Sequence, residues 1–151
     1  MTATFKKKSI VILGAGFGGL RTAQLLAKAL RRERLTDRYA LYLVDRNSYH
    51  TYTPTLYEVA TTSKETASYI QLRDIVTFDV ASLISGFPEI QFVHDNVTAL
   101  DLANGDIHCG GREMKFDYLV LAIGAETNYF DIPGLREHAL PMKSFMDAIA
   151  I

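Results

Sequence analysis

Gly14-Ala15-Gly16-Phe17-Gly18-Gly19 is the stretch that decides the fold. Before it runs Ser9-Ile10-Val11-Ile12-Leu13, a short apolar segment of the kind that fills a buried parallel strand. After it, Phe17 to about Leu30 places Leu20, Ala23, Ala27 and Leu30 along one helical face. A second apolar run, Tyr39 to Val44, then ends in Asp45. Strand, glycine turn, helix, strand and terminal acid together read as a dinucleotide-binding βαβ unit.

The chemistry explains the residue types. Gly14 allows a tight turn out of the strand, Gly16 lets a pyrophosphate approach the backbone, and Gly19 lets the helix pack close to the sheet. Amides in the first helical turn, aided by the helix dipole, hold phosphates. A carboxylate at the tip of the second strand accepts ribose hydroxyls, and Asp45 is placed for that. It also disfavours a 2′-phosphate, an argument softened by Arg46. The acid usually follows about twenty residues on. Here the gap is longer, and the mixed-sign stretch from Arg31 to Arg38 accounts for it as a solvated helix end and loop.

A chain of 151 residues, 48% of them apolar, has enough material for one domain with a real core. A formal charge of −1 gives no support for nucleic-acid binding. The Lys6-Lys7-Lys8 run is read as a soluble amino-terminal tail. The single cysteine, Cys109, makes an internal disulfide impossible and agrees with a reducing, cytoplasmic setting. Neither a signal peptide nor a bilayer-spanning segment is legible.

Asn47 to Ala60 leaves the Asp45 strand tip rich in aromatics and hydroxyls, with a short helix expected after Pro54. By position the segment is a candidate cofactor wall, whereas His50 taken alone reads as part of a surface loop. From Lys64 onward, Tyr69 to Arg73 alternates and is compatible with an extended segment, and Asp79 to Ile84 reads as helix. Arg73 is expected in an exposed pairing. Ile90 to Val93 reads as a third parallel strand. Val97 to Leu102, Asp106 to Cys109 and Glu113 to Phe116, separated by Asn104-Gly105 and Gly110-Gly111, form a three-stranded antiparallel meander. One His beside one Cys makes no metal site, and no metal is expected. Asp117 to Ala125 reads as a further buried strand ending in glycine.

The order of these pieces, with Asn47-x-x-His50-x-x-x-Pro54-x-Leu56-Tyr57-x-Val59-Ala60, Asp117-Tyr118-Leu119-Val120-Leu121-Ala122-x-Gly124-Ala125 and Asn128-Tyr129-Phe130, resembles the amino-terminal part of type II NADH dehydrogenases. These are single-subunit NADH:quinone oxidoreductases of the two-dinucleotide-binding-domain flavoprotein superfamily. The resemblance implies an α/β, Rossmann-like FAD-binding half: a parallel sheet plus the meander, incomplete. Residues 1–134 would be the FAD-binding part and 135–151 the start of a linker or helix toward an absent NADH domain.

Residue by residue, the resemblance implies FAD at the first turn, cradled by Gly14, Gly16, Phe17, Gly18 and Gly19. Asp45 would hold the adenosine ribose beside Arg46 and Asn47, and the backbone of Val97 would meet the adenine. Ala122, Gly124 and Ala125 would line the cofactor, with Thr53, Pro54 and Thr55 near the isoalloxazine ring. No side chain is expected as a catalytic acid or base. The family often has Phe-Gln at Tyr52-Thr53, leucine at Thr55 and threonine at Ile123, so polarity beside the flavin differs here.

NADH and quinone are the implied partners of the parent enzyme, which would sit peripherally on the cytoplasmic face of the membrane. A second glycine turn and a carboxyl-terminal amphipathic region are not legible, and the sequence ends within an apolar helix pattern begun at Ser144. The expectation is a truncated chain that is inactive alone and self-associates through uncovered apolar surface. Two alternatives stand beside this: a stand-alone Rossmann nucleotide-sensing module, disfavoured by the meander, and another pyridine nucleotide-disulfide-reductase-like flavoprotein, disfavoured by the lack of a redox Cys pair.

Overall fold

The computed structural model describes residues 6–63, 65 and 67–151. The first five residues of the expected FAD-binding part, and Lys64, lie outside the described residues. Contacts divide the chain into two compact units. One runs up to Ser48 and resumes over Asp79–Gly124; the other comprises Tyr49–Phe78 and Ala125–Ile151.

The first unit is built on four parallel strands in the order β5-β2-β1-β9: β1 Lys8–Leu13, β2 Tyr39–Asp45, β5 Ile90–His94 and β9 Tyr118–Leu121. The connection α1, Phe17–Arg32, joins β1 to β2 and buries Gly19, Leu20, Ala23, Ala27 and Leu30, the stripe expected from the sequence. Alternation along the strands sorts side chains onto two faces. Ile10, Ile12, Leu41 and Leu43 pack with α1 and with Val80 and Ile84 of a short helix, α4 Val80–Ile84. Val11, Leu13 and Val44 pack with Ile107 and Cys109 of the meander. Covered on both faces, β1 needs a continuous apolar run rather than an alternating one. The meander itself is β6 Val97–Asp101, β7 Asp106–Cys109 and β8 Arg112–Lys115, all antiparallel. The expected parallel sheet with a three-stranded meander is therefore present.

Three readings of this unit change. The Asp117–Ala125 strand is shorter than expected and is not buried, because β9 is the sheet edge: Tyr118 and Leu121 are exposed. Lys8 opens β1 instead of ending a tail, and the Lys7 ammonium donates to the Thr36 carbonyl at 2.9 Å. The charged stretch after α1 is a loop, as expected, but Arg31 does more than face solvent. Its Nε and a terminal nitrogen reach both Glu89 oxygens at 2.7 and 2.8 Å.

The second unit contains a two-stranded sheet of β3, Tyr49–Thr51, and β4, Thr77–Asp79. A 3₁₀ turn at Thr53–Thr55 begins around Pro54 and leads into α2, Leu56–Thr61. Then follow α3, Tyr69–Val76, α5, Leu135–His138, and α6, Phe145–Ala150. Leu56 and Val59, Leu72 and Val76, and Phe145 and Ala148 form its core. The extended reading of Tyr69–Arg73 is wrong. Ser68 and Gln71 make a reciprocal capping box, and burial of Leu72 and Val76 four residues apart selects the helix. His50 is likewise not on a surface loop; it is buried within β3. Arg73 lies over the Tyr49 ring, its guanidinium carbon 5.3 Å from the ring centre.

Two stability outcomes follow. Ser68→Ala removes the cap of α3 and is expected to lower unfolding free energy by about 1 kcal/mol, read from urea midpoints. Glu89→Gln tests the Arg31 pair through its pH dependence. Hydrogen bonds from Arg31 hold the Glu89 carboxyl below its ordinary range. The contribution is thus complete above the unfolded carboxyl's pKa and fades as pH falls through the lower folded one. The wild type's advantage over Glu89→Gln should shrink on acidification; an advantage independent of pH would exclude the pair as its source.

Candidate functional site

The glycine turn stands at the carboxyl end of the central strand β1. Strand order reverses there, with β2 on one side and β9 on the other, which is where open α/β sheets leave a crevice for ligands. Gly14 has a φ of +101°, and a Cβ on it would collide with the backbone carbonyl of Ala122. A Cβ on Gly19 would overlap the Gly14 carbonyl oxygen. Both collisions are with backbone, so neither is relieved by a rotamer change. The Gly14 amide donates to the Val44 carbonyl at 2.8 Å and the Ala122 amide to the Leu13 carbonyl at 2.8 Å. The turn is thereby held between its two neighbouring strands.

Gly16 is the N-cap of α1, in extended backbone, and contributes no side chain to cap the helix. The space where its Cβ would stand is open, as it is at Gly18. Gly16, Phe17 and Gly18 are exposed, and no acidic residue occupies the first helical turn. A sixteen-residue helix thus presents its amino terminus beside open space at Gly16 and Gly18. That is the arrangement a phosphate requires: approach to backbone amides at the positive end of a dipole.

Asp45 closes the site from the side. Its Oδ2 accepts from the Ala15 amide at 2.6 Å and its Oδ1 from the Asn47 amide at 2.7 Å. A carboxylate offers about four acceptor positions. Two are used to tie the glycine turn to the loop after β2, leaving capacity for hydroxyl donors. The Asp45 carbonyl accepts from the Asp95 amide at 3.0 Å, and the His94 ring nitrogen Nε2 contacts the Arg46 carbonyl at 2.9 Å. Arg46 is exposed and Asn47 half-buried. Val97 lies two residues beyond Asp95, half-buried in β6 and opposite Cys109.

Within the first unit, then, the turn residues, Asp45, Arg46, Asn47 and Ala122 converge, with Val97 opening the adjoining strand β6. Gly124 follows β9 in left-handed backbone at φ +76°. Thr53, Pro54, Thr55 and Ala125 belong to the second unit; Thr53–Thr55 form its 3₁₀ turn and Ala125 is exposed. Sequence reading missed the Ala15 amide, the Ala122 carbonyl, His94 and Asp95. Of these, His94 directly follows the Ile90–Val93 run, but its place opposite Asp45 emerges only from the β2–β5 pairing. Burial pushes the Cys109 thiol above its ordinary pKa. Among the described residues no group of three or more His, Cys, Asp or Glu could hold a metal ion.

The pyridine nucleotide-disulphide oxidoreductase family model matches residues 8–151. A type II NADH:quinone oxidoreductase of Staphylococcus aureus (strain NCTC 8325 / PS 47) is 28% identical over 142 residues, covering 94% of this chain and 32% of the relative. The chain thus spans about a third of the length of the curated relatives it matches. Among solved structures, NDH2 from Plasmodium falciparum in complex with NADH superposes with a TM-score of 0.71 at 24% identity, covering 96% of this chain and 28% of that one. The sulfide:quinone oxidoreductase of Aquifex aeolicus gives 0.69 at 21% identity, covering 95% and 30%. At these identities the structural likenesses show the fold.

The close approach at Gly19 is testable by contrast with Gly18. Gly19→Ala forces backbone apart and is expected to cost at least the roughly 1–3 kcal/mol of an overpacked core. Gly18→Ala, in open space, should stay within about 0.5 kcal/mol of wild type. Equal urea midpoints for the two variants would show that the turn and helix are not in contact.

Proposed function

The chain belongs to the pyridine nucleotide-disulphide oxidoreductase family, and from that premise we propose that it is the FAD-binding part of a flavin-dependent NADH:quinone oxidoreductase. One observation carries the reading: the Asp45 carboxylate, thirty residues away in sequence, lies 2.6 Å from the amide of Ala15 inside the glycine turn. A diphosphate-binding helix end and a hydroxyl-accepting acid are thereby held at adjacent points, matching the two ends of an adenosine diphosphate.

The residues present suit FAD. Gly16 and Gly18 leave open space beside the amides of the first α1 turn, which would take the pyrophosphate. Phe17 would join that cradle, with Gly14 and Gly19 packed closely beneath it. Asp45 would accept from the adenosine ribose, with Arg46 and Asn47 flanking it, and the Val97 backbone would meet the adenine. Ala122 and Gly124 would line the chain of the cofactor. The placing of Ala125 beside them, and of Thr53, Pro54 and Thr55 near the isoalloxazine ring, rests on the family resemblance. When bound, FAD would supply the redox chemistry, taking a hydride from NADH and passing two electrons to a quinone. The protein's own part is to bind, orient and tune, and no side-chain acid or base is assigned to the hydride step.

In this reading residues 1–134 are the FAD-binding part and 135–151 begin the connection toward an NADH-binding domain. NADH, quinone and a peripheral place on the cytoplasmic face of the membrane belong to the longer protein. The piece alone would not turn over. It would self-associate through apolar residues left exposed, Leu121, Ile123 and Phe130 among them.

Purified protein, heat-denatured, should release flavin fluorescence into the supernatant. A colourless preparation that binds NAD tightly in calorimetry would instead favour a nucleotide-sensing module. Asp45→Ala should weaken FAD binding by roughly 1.5–3 kcal/mol, the scale of charge-assisted hydrogen bonds. Unchanged affinity would remove Asp45 from the site.

A further inference from the structure

We infer that Arg112 and Asp95 are positioning residues for the adenosine end of the dinucleotide site, holding the β5–β6 loop in place from the meander. This rests on the nucleotide reading above.

A continuous run of contacts within the first unit links the pair to Asp45. The Ala15 amide donates to the Asp45 carboxylate at 2.6 Å, and the Asp45 carbonyl accepts from the Asp95 amide at 3.0 Å. The Asp95 carboxylate then divides its two oxygens. Oδ2 accepts from Arg112 Nε at 2.8 Å, and Oδ1 from the Asn96 amide at 2.8 Å. The Asn96 carbonyl in turn accepts from the Gly110 amide at 3.1 Å. Both ends of the Asp95-Asn96 step are therefore fixed, one by the strand that carries Asp45 and the other by the β7–β8 turn. Val97, whose backbone is assigned to the adenine, is the next residue.

Gly110 supplies a second, independent sign that the fit is close. A Cβ there would stand 2.6 Å from Asp95 Oδ1, so the turn leaves just enough room for the carboxylate. Asp95 is largely covered, at 17% side-chain exposure, but the exposure of its partner limits what the pair adds to stability. Arg112 keeps 59% of its side-chain surface in solvent, and ion pairs so placed contribute little to stability. What the pair does well is orient. Hydrogen bonding from Arg112 also holds the Asp95 carboxyl below its ordinary range.

Calorimetry with ADP and with inorganic pyrophosphate separates positioning from general structure. Arg112→Gln should weaken ADP binding about 3- to 10-fold, the worth of one or so hydrogen bonds, and leave pyrophosphate unchanged. Arg112→Lys, which keeps the charge, should recover part of the loss. Gly110→Ala, which displaces the Asp95 carboxylate from the other side, should reproduce the selective loss and serves if Arg112→Gln does not fold. Equal loss of ADP and pyrophosphate would overturn the proposal in favour of a merely structural pair. Wild-type ADP affinity in Arg112→Gln and Gly110→Ala, with Asp45→Ala impaired, would overturn it while sparing the nucleotide reading. Wild-type protein that binds neither ADP nor FAD would overturn both.

Discussion

The contact between the Asp45 carboxylate and the Ala15 amide is the point on which the rest depends. It joins the turn after β1 to the tip of β2, and it can form only because the turn is compact. Compactness comes from two places where a side chain is sterically forbidden, Gly14 against the Ala122 carbonyl and Gly19 against the Gly14 carbonyl. Remove either clearance and the start of α1 moves away from the sheet. The helix end, the acid and the strand crevice then cease to share one location.

The sheet beneath this site is covered by unlike layers. Helices α1 and α4 bury Ile10, Ile12, Leu41 and Leu43, while the meander buries Val11, Leu13 and Val44. Each fully buried aliphatic side chain contributes about 1.5–3 kcal/mol relative to exposure, so both layers matter to stability. The meander has a further consequence. Because β6 begins at Val97, directly after the loop beside Asp45, the layer that closes the core also holds that loop in place. A helix in the same place would cover the same apolar face without supplying the Gly110 and Arg112 contacts to Asp95 and Asn96.

Some of this was legible and some was read wrongly although the signal was there. The Ser68-x-x-Gln71 spacing is a capping box, and Leu72 and Val76 stand four apart. Local alternation over five residues suggested an extended segment because the window was shorter than two helical turns. His50 reads as loop for a different reason: β3 forms by pairing with β4, which lies more than twenty residues further along the chain. The exposure of β9 is a matter of strand order, and an apolar run reads the same at a sheet's edge as at its centre.

The amino-acid sequence by itself determined the βαβ unit, the meander and the identity of the acid that faces the glycine turn. These are written in short-range codes: glycines at fixed offsets, apolar residues at helical or strand periods, and turn dipeptides. Tertiary structure alone decided which oxygen of Asp45 meets which amide, that Ala122 walls the turn, and that Arg112 reaches Asp95 seventeen residues away. Such pairings depend on where separate elements come to rest, and no local preference of the chain encodes the distance between two side chains on different strands.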